Sequence, residues 1–92
     1  MNGSDVRERL SELGFDEDES KALSTILKAA DAAMEGDAFS QARLNNLEEE
    51  DQNVLAAYFE RNGFEQTADK LESSVSVYRP LYSFYEDEVM QR

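Results

Sequence analysis

Cysteine, histidine and tryptophan are absent from this sequence of 92 residues, and proline occurs once. Without cysteine there are no disulfides, thiolate metal sites or thiol nucleophiles. Without histidine the most common general base is missing, and catalysis would have to be built from carboxylates, hydroxyls and lysines. The four glycines form no phosphate-cradling loop. Nothing in the inventory therefore points to an enzyme, and no cofactor is expected. Cations are scarce as well: nine Lys and Arg face 21 Asp and Glu, giving a formal charge of -12. Phosphate binding needs clustered cations that release counterions, so direct nucleic-acid binding is disfavoured and a basic protein partner is favoured. Solubility or adaptation to high salt would leave the same composition. No apolar run approaches the ~20 residues of a membrane span, and Met1–Asp5 lacks the basic and apolar parts of a signal peptide. The expectation is a soluble cytoplasmic protein that does not enter membranes.

What remains is ordinary for a folded domain, with 40% hydrophobic and 10% aromatic residues. The patterning is helical throughout. Ser4 can cap a first helix carrying Val6, Leu10 and Leu13, which Gly14 ends. The acids Asp16–Glu19 then complement the start of a second helix, whose broad apolar face runs from Ala22 and Leu23 through Ile26, Leu27, Ala30 and Ala33 to Met34 and stops at Gly36. Asp37 caps a short turn bearing Phe39, Ala42 and Leu44, with a break at Asn45-Asn46. Glu48–Asp51 opens the clearest helix, with Val54, Leu55, Tyr58 and Phe59 on one face and Asn62-Gly63 at its end. Thr67, Ala68 and Leu71 give the next helix its inward side, and Ser73-Ser74 interrupt it. In the aromatic-rich segment 75–92, Pro80 suits the first turn of a last helix that aligns Leu81, Tyr85 and Val89, although Val75 and Val77 could be extended. The reading is all-α: one domain over residues 1–92, a small bundle of five or six short helices.

The segment from Val54 to Glu72, about a fifth of the chain, resembles the LisH (lissencephaly homology) motif. Leu55, Tyr58, Phe59, Gly63, Phe64, Thr67, Ala68, Leu71 and Glu72 stand in the order of its pattern, with Phe59 where leucine is more usual. The resemblance implies a helical hairpin over 51–73 that pairs with a second copy as a four-helix homodimer and serves a small adaptor or regulator. Leu55, Tyr58, Phe59, Phe64 and Leu71 become the candidate contact residues. The same apolar positions would also serve as an ordinary core against the first two helices.

Two other readings stay open. A small acidic protein can act as an inhibitor, occupying the basic groove of a nucleic-acid-binding protein or a toxin, with Tyr78, Tyr82 and Tyr85 beside Glu86-Asp87-Glu88 as its anchor. Alternatively Gln66–Leu71 and Ser74–Phe84 could form a DNA-binding helix-turn-helix. Pro80 inside the recognition helix and the local excess of acid oppose that reading. Asp16–Ser20 has a calcium-loop look, but Lys21 and Leu27 stand where such a loop needs Gly and Glu, so no metal is expected.

Overall fold

Glycine and aspartate punctuate a chain whose apolar residues recur at helical spacing: Asp16 and Asp37 open two of the helices, and Gly14, Gly36 and Gly63 follow the ends of three. The computed structural model describes residues 3–73 and 76–90. Among these, six α-helices follow one another with no strand: α1 (Gly3–Glu12), α2 (Glu17–Met34), α3 (Ala38–Asn45), α4 (Glu49–Arg61), α5 (Glu65–Ser73) and α6 (Tyr78–Phe84). A π-helical turn, Tyr85–Val89, continues α6.

Three helix ends share one device. The N–H of Phe15 donates to Leu10 O at 3.1 Å, that of Asp37 to Ala32 O at 3.1 Å, and that of Phe64 to Phe59 O at 2.8 Å. The glycine before each of them donates three residues back. This is the Schellman arrangement, in which a left-handed residue folds the chain back so that two orphan carbonyls find donors. At Gly63, φ is +90°, a conformation that costs a side-chain-bearing residue dearly, so the α4–α5 reversal depends on glycine at this corner. Helix starts are equally local. Asp16 accepts from Glu19 N while Glu19 accepts from Asp16 N, a reciprocal capping box at the start of α2, and Asp37 accepts from Ser40 N at the start of α3. The cap assigned to Ser4 concerns a side chain outside those described.

One core joins all of these elements. Val6 and Leu10 of α1, Leu23, Leu27, Ala30 and Ala33 of α2, Leu44 of α3, and Leu55, Ala56 and Phe59 of α4 are buried in it. Ala68 and Leu71 of α5 and Leu81, Phe84, Tyr85 and Val89 at the C-terminal end complete it. The alignment of Leu81, Tyr85 and Val89 expected from the sequence is thus the buried line of the last helix, with Pro80 in its first turn. The radius of gyration, 11.9 Å, is close to the ~12 Å of a single compact domain this long.

Four local expectations need correction. On α2, Ala22 and Met34 lie in solvent, the latter 41% exposed, while Ser20, Ser24 and Ala29 are buried beside Leu23, Leu27, Ala30 and Ala33. On α4 the buried stripe is Leu55, Ala56 and Phe59, whereas Val54 is 44% exposed and Tyr58 only half-buried. The helix is rotated so that small Ala56 rather than branched Val54 meets its neighbours, which lets helices approach closely. On α3, Phe39 is 77% exposed and Ala42 is exposed; Ser40 and Leu44 face inward instead, four residues apart on one side. Val77 is helical in φ and ψ, and buried, rather than extended. Val75, the other residue considered as extended, and Ser74 lie outside the described residues.

Candidate protein-interaction site

The hairpin α4–α5 forms as the sequence predicts, and its position in the molecule decides what it can offer a partner. Leu55, Phe59 and Leu71, three of the five contact candidates on it, are buried in the chain's own core. Burying a side chain such as Phe59 is worth about 1.5–3 kcal/mol relative to leaving it in water, and here that gain is realised within one chain. Tyr58 and Phe64, the other two, pack on the core but keep part of their surface in solvent. Of the C-terminal tyrosines, Tyr85 is buried, while Tyr78 and Tyr82 are half-buried.

Aromatic packing fixes the hairpin corner. Phe64, the residue after Gly63, stacks on Phe15, the residue after Gly14, with ring centroids 5.7 Å apart and planes within 3°. Phe84 of α6 meets Phe59 edge-on at 4.7 Å and Phe64 at 5.0 Å, and Phe15 meets Phe59 at 5.8 Å. Each such pair adds about 0.5–1.5 kcal/mol beyond its buried area. Four of the five phenylalanines therefore tie the α1–α2 loop, the hairpin and α6 together. The two Gly-Phe steps were visible in the sequence; that they would meet was not.

A polar latch holds the same corner. Glu19 is the only buried carboxylate among the described residues. It accepts from Arg61 at the end of α4, from Asn62 Nδ2 at 3.2 Å and, in the capping box, from Asp16 N at 3.0 Å. Burial alone would push its carboxyl up. The backbone hydrogen bond from Asp16, the side-chain bonds from Arg61 and Asn62 and the guanidinium charge outweigh that and hold it below its ordinary 4.5. Asn62 also donates to Tyr58 O at 2.8 Å, and Arg61 stacks over the Tyr58 ring at 5.5 Å. Sequence reasoning read Glu19 as one more acid at a helix start. Its position three residues after a capping aspartate was the local signal, but its partners lie 42 and 43 residues away. Asp16 and Glu19 are thereby engaged in the helix cap and the latch.

At the C-terminal end, Tyr82 donates to Glu86 at 3.1 Å, and this bond, with the Glu86 charge, pushes the phenol above its ordinary value. Burial does the same for Tyr85, with Asp31 of α2 adding to it. The helices of the helix-turn-helix reading, α5 and α6, carry only Lys70 and Arg79 as cations against Glu65, Asp69 and Glu72. No described helix is long and apolar enough to cross a membrane.

Comparison with known proteins gave no match to a family model, a curated protein or a solved structure.

Proposed function

We propose that the chain is a non-enzymatic protein–protein interaction module, a small adaptor or regulator that engages a basic protein partner through the carboxylate-covered surface around its hairpin. The observation that carries this reading is where the charge sits. Of the 21 carboxylates only Glu19 is buried, so the others remain hydrated and face outward, far outnumbering nine cations. Such a surface accelerates encounter with a basic partner and rejects an acidic one. An inhibitor that fills the basic groove of a nucleic-acid-binding protein would use the same surface.

Self-association through the LisH-like hairpin is a second reading, favoured by Val54 and Tyr58 on the outer side of α4. With Leu55, Phe59 and Leu71 turned inward, those two residues leave a small apolar contact. Two copies at -12 each would also repel at low salt.

Capture from an extract of the source cells tests the first reading. The immobilised chain should retain a basic protein that elutes as salt rises. A variant carrying Glu48→Gln, Glu49→Gln, Glu50→Gln and Asp51→Asn should retain less of it, and an unrelated protein of equal charge should retain none. A partner held equally by that unrelated protein, or no basic partner at all, would overturn the proposal.

A further inference from the structure

A groove runs between α5 and α6, and its two ends differ in charge. At one end the hairpin corner and the π turn bring Glu65, Asp87 and Glu88 around a recess of about 410 Å3. Phe64, Pro80 and Phe84 give this recess its apolar lining, and the hydroxyls of Thr67 and Ser83 stand beside them. Lys70, Pro80 and Ser83 also line an adjoining recess of about 330 Å3, which ends at Ser73 and Arg79. The helices flanking the groove are antiparallel, since the start of α5 and the end of α6 share one recess while the end of α5 and the start of α6 share the other.

The basic end is the unexpected one. In a chain with so few cations, Lys70 and Arg79 reach the same recess from different helices, and neither lies within 4 Å of a carboxylate among the described residues. Arg79 stacks over the Tyr78 ring at 5.9 Å, which leaves both cations of this end without a carboxylate and open to an incoming one. The acidic end is held in place rather than loose: Arg9 Nε donates to Glu88 O at 2.9 Å, and Met90 N closes the π turn on Tyr85 O at 2.9 Å. A preformed site binds without first spending free energy on ordering itself.

We propose that this groove is the docking site for a short segment of a protein partner that carries a basic residue at one end, an apolar side chain in the middle and an acidic residue at the other. The inference rests on the interaction-module reading and specifies its site. The basic residue meets Glu65, Asp87 and Glu88, the apolar side chain covers the exposed part of Phe64 against Pro80, and the acidic residue meets Lys70 and Arg79. The volume suits one or two side chains, at the small end of the ~300–1,000 Å3 typical of ligand sites. Arg79 and Asp87 stand eight residues apart, about 12 Å along a helix, so the opposite charges of an extended segment would be roughly four residues apart. A nucleic acid is excluded as occupant because the acidic end repels phosphate.

Panning a phage library of random dodecapeptides against the full chain tests this. The selected peptides should share the order basic, apolar, acidic. Ser83→Trp, which fills the groove from an exposed position, should weaken them at least about tenfold while leaving circular dichroism and melting unchanged. The pair Lys70→Glu with Arg79→Glu should weaken them too, and should bind better than the parent chain to peptides whose acidic residue is changed to lysine. Peptides that bind Ser83→Trp and the charge-reversed pair as tightly as the parent overturn the groove and leave the acidic-module reading in place. Failure to enrich any shared sequence also overturns the groove, and the module reading then stands or falls by the capture experiment.

Discussion

Replacing Glu19 by glutamine removes one charge from the latch while preserving its volume. The amide oxygen can still accept from Asp16 N and Asn62 Nδ2, but the amide nitrogen then faces the Arg61 guanidinium, donor against donor. A charge-assisted hydrogen bond contributes about 1.5–3 kcal/mol. The Arg61 side chain is 62% exposed whereas that of Glu19 is 5% exposed, so solvent screening places the loss near the lower part of that range, about 2 kcal/mol. For a domain this size that corresponds to a fall in Tm of roughly 8–16 °C. The pH dependence has a fixed sign. The carboxyl of folded Glu19 lies below 4.5, so its contribution is fully present above that value and is lost as pH falls through the folded value. Melting should therefore be followed by circular dichroism from pH 7 downward, comparing the parent and Glu19→Gln at each pH. The difference cancels the general relief of acidic self-repulsion, which acts on both chains. Asp69→Asn, an exposed acid in the middle of α5 and away from any helix start, serves as the control and should shift Tm little. A difference below about 0.5 kcal/mol at pH 7, or one that widens on acidification, would refute the latch.

Leu71→Ala should cost about 2–4 kcal/mol, because it opens a cavity between α5 and the core, whereas Tyr58→Ala should cost only about 1 kcal/mol, since that ring is half in solvent; urea unfolding at constant m-value checks both. Gly63→Ala should cost about 1–2 kcal/mol although a Cβ there meets nothing within 4 Å, because the penalty lies in a φ of +90°. Equal stability of the alanine variant would show that the corner does not need glycine. Glu86→Gln should bring the Tyr82 phenol back toward its ordinary 10.0, read by ultraviolet titration, because it removes both the charged acceptor and its negative field.

Much of this architecture was legible because its signals are local. Asp16, Asp37, Gly14, Gly36 and Gly63 stand at helix limits, and each acts through backbone groups within a few residues of itself. Leu81, Tyr85 and Val89 were placed inward by spacing alone, even though the helix widens to a π turn across them. The rotational phase of α4 was not legible, because Val54, Leu55, Tyr58 and Phe59 span a face too broad to say which half turns inward. Ala56, absent from that reading, settles it by allowing close approach. Phe39 misled for a similar reason: in a helix of eight residues there is one buried line, and Ser40 with Leu44 occupies it. At the candidate site, the buried acid and the two-ended groove depend on residues far apart in sequence, where periodicity carries no information. The hairpin was recognised, but its inward seam and its outward surface could be told apart only once the neighbouring helices were in place.

The central claim is that the hairpin's apolar seam closes on its own chain and leaves an acidic, partner-seeking surface outside. Light scattering on the protein as it elutes from a sizing column, at physiological salt and high micromolar concentration, tests this most directly. The account predicts a single species of 10.5 kDa at every concentration loaded. A species of twice that mass that disappears in Leu55→Glu, while the variant chain stays folded, would show that the seam belongs to a second copy and would contradict the account.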